Sequence, residues 1–316
     1  MTSAVARLLV ALTAIAGLSA VILSLANPTD GEGSVLPRSA QIDATLRSSA
    51  IGRPPVFAVT PARPKDLARP HFAKPPSAGL LIDLNNGRVL WSSNPTQVLP
   101  IASLTKMMNA LVTTASASPQ RQLKITSADT SIGGSIVGQL PVGHSLPVET
   151  LLSGMLIVSG NDAALALADG LGPGIDAFVA RMNARARAMG LHCTHFETPT
   201  GLNRYDKSCV RDLARIATAL LDQPRLARIV ARASQVIEIP YSGKRIRLRN
   251  RNPLHQASYP GTFGVKTGHT QAAGWCLVAA AGNNHGQRLL GVLLHSSNTG
   301  QQMKVLLDSG FAALKQ

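Results

Sequence analysis

The stretch Ile101-Ala102-Ser103-Leu104-Thr105-Lys106-Met107-Met108 decides how this chain is read. A serine and a lysine stand three residues apart at the start of an apolar run, which predicts a helix to about Ala115. Positions i and i+3 share a helix face, so the Ser103 hydroxyl and the Lys106 amine can point at one spot. A helix start also offers free backbone N–H groups and the positive end of the dipole. Together these make the arrangement of a serine nucleophile with a lysine base. The pair is common by itself, and its plain alternative is a helix cap followed by a solvated lysine. The rest of the chain must supply matching parts.

The 316 residues suffice for one large domain or two small ones, and 45% hydrophobic content supplies a core. A net charge of +15 points to anionic surroundings. The arginines are scattered, aromatics are 3%, and no nucleic-acid motif is present, so the charge is read as attraction to an anionic matrix. No nucleic-acid partner is expected. Three cysteines show no metal-ligand spacing. Arg7 precedes an apolar run from Leu8 to Leu23, and Ser24-Leu25-Ala26 offers small residues for cleavage. Residues 1–26 thus read as a signal peptide or a signal anchor. The chain is expected to be exported, to the periplasm or the outer face of the cytoplasmic membrane. Membrane attachment, where it occurs, falls to residues 8–26. Residues 27–76 hold prolines from Pro28 to Pro76 and no lasting apolar period, and read as a disordered linker.

A domain is expected over residues 77–316. Ala78–Leu84 and Arg88–Trp91 read as strands around the turn Asn85-Asn86-Gly87. A helical block follows, roughly residues 116–230. One of its helices runs from Pro147 to Val158, breaks at Ser159-Gly160-Asn161-Asp162 and resumes at Ala163. Further helices are read over Ile175–Met189, closed by Gly190, and over Ser208–Leu221. Strands return in a hairpin around Ser242-Gly243, then over Phe263–Lys266, Gly274–Ala280 and Leu289–Leu294, and an amphipathic helix runs from Met303 to Leu314. The expected fold is therefore α/β (α+β): an antiparallel sheet of about five strands built from both chain ends, flanked by helices, with an all-helical inserted subdomain.

Two further motifs sit where a Ser103 enzyme needs them. Ser159-Gly160-Asn161 lies in a helix break that can aim a hydroxyl and an amide across a cleft. Lys266-Thr267-Gly268 ends a strand in which Gly264 and Gly268 permit close approach of a ligand. Ser-x-x-Lys, Ser-x-Asn and Lys-Thr-Gly, in that order, form the motif set of penicillin-binding proteins and class A β-lactamases. With segments such as Phe196-Glu197-Thr198-Pro199-Thr200-Gly201-Leu202, the chain from Ser77 to Leu314 resembles the serine D-alanyl-D-alanine carboxypeptidases, the low-molecular-mass penicillin-binding proteins. The resemblance implies the β-lactamase/DD-peptidase fold and an acyl-enzyme on Ser103. It implies Lys106 as the base, kept neutral by burial and by the like charge of Lys266. Ser159 relays a proton to the leaving amine, and Asn161 bonds the substrate amide or Lys106. Lys266 and Thr267 take the substrate carboxylate, beside Gly268, and the backbone N–H groups of Ser103 and His269 form the oxyanion hole. The substrates implied are peptidoglycan stem peptides, with β-lactam antibiotics as covalent inhibitors and no metal or cofactor.

The chain departs from that family at His295-Ser296-Ser297-Asn298-Thr299-Gly300-Gln301-Gln302, where several relatives carry a carboxylate-binding arginine. A D,D-endopeptidase that cuts cross-links is the alternative activity; a β-lactamase or a non-catalytic wall-binding protein ranks lower. A class A β-lactamase needs Glu-x-x-Leu-Asn, whereas Leu202-Asn203 follows Glu197 at a distance of five, so Glu197 is read as loop structure. Asp162 is read as a helix cap, Cys276 as a core thiol, and only the backbone of His269 as functional. Cys193 and Cys209 could pair as a disulfide in an oxidising compartment.

Overall fold

The computed structural model describes residues 67–315. The expected signal segment (residues 1–26) and the linker up to residue 66 lie outside the described residues.

The main sheet is built from β1 (Ala78–Asp83), β2 (Val89–Ser93), β3 (Thr262–Thr270), β4 (Gly274–Gly282) and β5 (Arg288–Ser296). Their order is β2-β1-β5-β4-β3, and every neighbouring pair is antiparallel. The two chain ends meet where β1 pairs β5, from Ala78 opposite Leu294 to Asp83 opposite Leu289. This is the five-stranded sheet expected from the sequence. All six residues of β1 are buried, because both faces of the sheet are covered and alternation is lost. Leu81, Leu277, Leu289 and Leu293 pack on one face against Met303, Leu306 and Leu307 of the closing helix, Thr299–Ala313. Leu80, Val278 and Val292 on the other face join the core of the helical block.

That block contains α1 (Lys106–Ser116), α2 (Val148–Ile157), α3 (Asn161–Gly170), α4 (Ile175–Ala188), α5 (Val210–Leu221) and α6 (Pro224–Val230). The break between α2 and α3 falls where it was expected. Two short ladders accompany the helices: Leu99–Pro100 with Lys207–Ser208, and Gln122–Lys124 with Ser145–Pro147. Strands of two or three residues are too short to show a period in sequence. The hairpin Ser234–Ile239 with Lys244–Arg249 forms a separate two-stranded sheet. Its polar, arginine-rich outer side suits a solvated ribbon.

Residues 67–76 correct the expected linker boundary. Ala68 is buried, its N–H donates to Leu90 O of the edge strand β2, and the Phe72 ring meets Trp91 edge-on at 5.6 Å. A proline-rich extended segment packs against a sheet edge without needing any periodic pattern.

Cys193 and Cys209 are bonded, with Cα atoms 5.5 Å apart, and close a loop of sixteen residues. Buried Asp212 accepts the Cys193 N–H and the Thr194 hydroxyl inside this loop. Cys276 is free and buried, as expected. Replacing both Cys193 and Cys209 with alanine should lower unfolding stability by about 3 kcal/mol through the loop-entropy term. A lowered denaturant midpoint would show it, and an unchanged midpoint would contradict it.

Candidate active site

Ser103 sits in a single 3-10 turn, Ala102–Thr105, that runs into α1. Ala102 holds a φ of 49°, a left-handed conformation that alanine rarely adopts and that persists only when neighbours enforce it. The neighbours here are two glycines. Gly201, at φ 84°, lies so close that a Cβ would overlap the Ala102 carbonyl. A Cβ on Gly268 would stand 2.9 Å from Ile101 O and 3.2 Å from Ser103 N. Strand β3 therefore presses its Lys-Thr-Gly segment against the turn that carries the nucleophile.

Lys106 is fully buried. Its Nζ lies 2.8 Å from Ser103 Oγ, 2.7 Å from Asn161 Oδ1 and 2.7 Å from Thr200 O. Asn161 Oδ1 and Thr200 O can only accept hydrogen bonds. A neutral amine has two hydrogens, which these two oxygens take, and its lone pair is left for the Ser103 hydroxyl. Burial pushes the Lys106 amine down to about 7, against the opposing pull of the Asp206 and Asp162 carboxylates, and Arg251 adds a smaller downward push. Burial is thus the main cause. The like-charge repulsion expected from Lys266 is felt instead on Lys266 itself, which burial, then Lys106 and Arg251, hold well below its ordinary range.

Ser159, at the break between α2 and α3, has a φ of 66° and is almost fully buried. Lys266 Nζ donates to Ser159 Oγ at 2.8 Å and to Thr267 O at 2.9 Å. The structure therefore brings together Ser103, Lys106 and Asn161 in one hydrogen-bonded set and Ser159 with Lys266 in another. Thr267, Gly268 and His269 line the same cleft, whose cavity volume is about 520 Å3. The His269 ring lies 4.0 Å from the ring of exposed Trp275, and both residues line the cleft.

Asn161 Nδ2 donates to Gly133 O, which settles the orientation of the amide and ties it to the loop before α2. Asp162 does not occupy the cap position expected of it. Gly160 occupies the cap position, and the Asp162 carboxylate instead accepts the N–H groups of Val137 and Gly138 from that loop. The pull of a nearby loop decides its role, which the helix pattern cannot show.

Three functional groups escape the motif search. The Thr200 carbonyl holds Lys106, and backbone groups leave no mark in side-chain patterns. Asp206 is buried and accepts Glu197 N–H, Thr198 N–H and the Thr198 hydroxyl, which shapes the turn that presents Thr200. Burial raises the Asp206 carboxyl above its usual range, and these donors oppose the rise. Arg251 lines the cleft and donates to Ser135 Oγ at 2.6 Å. Its neighbours Asn250 and Asn252 are buried in backbone hydrogen bonds, including Asn252 to Gly264 O, and so fix where Arg251 emerges. The run Asn250-Arg251-Asn252, directly after the strand Lys244–Arg249, is the available signal. Arg251 thereby offers positive charge that the segment His295–Gln302 lacks. Glu197 pairs with His195 at 2.7 Å on the surface, as fits loop structure.

A family model described as D-alanyl-D-alanine carboxypeptidase matches residues 71–298. The chain belongs to that family. A D-alanyl-D-alanine endopeptidase of Pseudomonas aeruginosa is 35% identical over 202 residues, covering 64% of this chain and 65% of that protein. A D-alanyl-D-alanine carboxypeptidase of Mycobacterium tuberculosis is 35% identical, covering 75% and 83%. The crystal structure of a D-alanyl-D-alanine carboxypeptidase from the same organism superposes with a TM-score of 0.72 at 34% identity, over 78% of this chain and 94% of the other. A Streptomyces DD-transpeptidase superposes equally well, at 0.72 and 29% identity, over 77% and 99%. The chain spans 61–65% of the length of several curated relatives.

Gly201→Ala tests the packing at the nucleophile turn. The strained φ and the overlap with Ala102 should displace Ser103, lowering stability by about 1–3 kcal/mol. The rate at which Ser103 is acylated should fall at least tenfold. A variant acylated at the normal rate would show that the turn does not depend on this contact.

Proposed function

We propose that this protein is a serine D-alanyl-D-alanine carboxypeptidase that removes the terminal D-alanine from peptidoglycan stem pentapeptides. The observation that carries the reading is the Lys106 Nζ, 2.8 Å from Ser103 Oγ and beside two further acceptors, Asn161 Oδ1 and Thr200 O, that can take both hydrogens of the neutral amine. Ser103 Oγ attacks the carbonyl carbon of the penultimate D-alanine while its proton passes to Lys106 Nζ. The carbonyl oxygen becomes an oxyanion between the N–H groups of Ser103 and His269, a hole whose loss of one donor typically costs about 10²–10³-fold in rate. The proton on Lys106 passes on through Ser159, which Lys266 holds in place, to the leaving amine, so Lys106 is neutral again. The C–N bond breaks, and D-alanine departs with its carboxylate near Thr267 and Arg251. A water then attacks the ester carbon and gives its proton to Lys106, which hands it to Ser103 Oγ as the C–O bond breaks, so that Ser103 and the neutral Lys106 are both regenerated. A β-lactam, whose strained amide mimics the scissile bond, would stop at the acyl-enzyme stage.

Exported location fits this substrate, and residues 1–26 would supply the export signal or the membrane attachment. One second reading has specific support. The endopeptidase of Pseudomonas aeruginosa is as similar as the carboxypeptidases, and no arginine follows β5 to grip a free terminal carboxylate. A D,D-endopeptidase acting on cross-links would meet both observations.

Incubation with a free pentapeptide and with a cross-linked dimer separates the two. D-alanine release dominating supports the carboxypeptidase, and dimer cleavage dominating supports the endopeptidase. Activity on neither, with no penicillin adduct, would end both readings. Ser103→Ala should lose adduct and turnover while keeping its fold. The pH profile has a determined sign. A protonated Lys106 cannot accept the Ser103 proton, so acylation by penicillin should rise about tenfold per pH unit up to about pH 7 and level off above it. Lys106→Arg should lose about 10²–10⁴-fold. A profile flat between pH 5 and 8 would exclude Lys106 as the base.

A further inference from the structure

The active-site cleft does not end at His269. A second open hollow of about 420 Å3 continues it, lined by Leu202, Arg204, Thr270, Gln271 and Ala272. Leu202 lines both cavities, so the two adjoin. The direction of a bound peptide follows from the site already described. Its leaving end lies by Thr267 and Arg251, and its carbonyl oxygen lies between Ser103 and His269. The acyl-donor side must therefore pass Thr270 and enter the second hollow. Strand β3 is outermost in the sheet, so its free edge can pair with an extended peptide along this path.

The second hollow is chemically distinctive. Leu202 in its lining and the adjacent Tyr205 are exposed at 44% and 53%. The Arg204 guanidinium lies 5.5 Å from the Tyr205 ring centre and the Lys207 amine lies 5.2 Å from it. Among the described residues no carboxylate pairs with Arg204. The nearest acid in sequence, Asp206, is turned inward onto Glu197 and Thr198.

We propose that this hollow is a subsite for the residue preceding the two D-alanines, and that Arg204, backed by Tyr205, selects a carboxylate on that residue's side chain. The inference rests on the D,D-peptidase reading, in either of its forms. A planar guanidinium stacked on an aromatic ring keeps its donors in a fixed fork suited to a carboxylate.

The test uses acetylated tripeptides ending in D-Ala-D-Ala whose first residue carries a side-chain carboxylate, the matching side-chain amide, or an acetylated lysine. The wild-type protein should prefer the carboxylate peptide by about fivefold in kcat/KM, mostly through KM, as for a partly exposed ion pair. The preference should fade in high salt. Arg204→Ala should bring the ratio of carboxylate to amide peptide to about one, Arg204→Glu should invert it, and Arg204→Lys should keep part of it. Equal kcat/KM for the three peptides in the wild type, or a ratio unmoved by Arg204→Glu, overturns the subsite while leaving the enzyme reading intact. A wild-type protein that releases D-alanine from none of the peptides and cleaves no cross-linked dimer overturns both.

Discussion

One buried amine organises this molecule. Lys106 is enclosed completely, and a charged ammonium there would pay a large desolvation cost. The protein meets that cost by giving the amine three oxygen partners and by shedding its proton near neutrality. Each partner comes from a different part of the chain: Ser103 from the turn before α1, Asn161 from the start of α3, Thr200 from the loop before α5. Holding them around one nitrogen requires the sheet, the helical block and that loop to dock in a single arrangement. Catalytic readiness and fold are therefore one constraint here.

Much of the surrounding structure serves that convergence. Gly201 and Gly268 allow two backbones to close on the Ser103 turn, which keeps Ala102 in a conformation it would not adopt alone. Asp206 ties the Thr198–Gly201 turn together from behind, and Asp162 ties down the loop whose Gly133 carbonyl fixes the Asn161 amide. The Cys193–Cys209 bond closes the loop that bears Thr200. These groups contact no substrate, yet they set the angle at which Lys106 meets Ser103. Lys266 forms a second buried amine held by Ser159, so the cleft contains two lysines whose charges oppose each other. Such a pair favours carrying fewer than two protons, which suits a site that must pass one proton back and forth.

Long elements and motifs with side-chain chemistry were legible in the residues alone. The apolar runs mark the five strands and the main helices, and Asn85-Asn86-Gly87 marks the first turn. Ser103, Lys106, Ser159, Asn161, Lys266 and Thr267 were readable because nucleophile, base and anion binder need particular side chains in a fixed order, whereas Gly268 and the His269 backbone came with the family resemblance. The packed segment at residues 67–76 was not readable, since an extended proline-rich strand has no period whether it is solvated or docked.

By itself, then, the sequence determined which atoms could react and in what order along the chain they occur. Only the tertiary structure decided which partner each of them has. The Thr200 carbonyl, the loop-holding role of Asp162 and the entry of Arg251 into the cleft join residues tens of positions apart, and the inward turn of Asp206 joins it to residues eight and nine positions away. Local pattern carries no information on such pairings, because they are selected by packing and by the cost of leaving a buried polar group unpaired. The same reason explains the state of Lys106: its residue type was written in the chain, but its low proton affinity comes from the enclosure that folding builds around it.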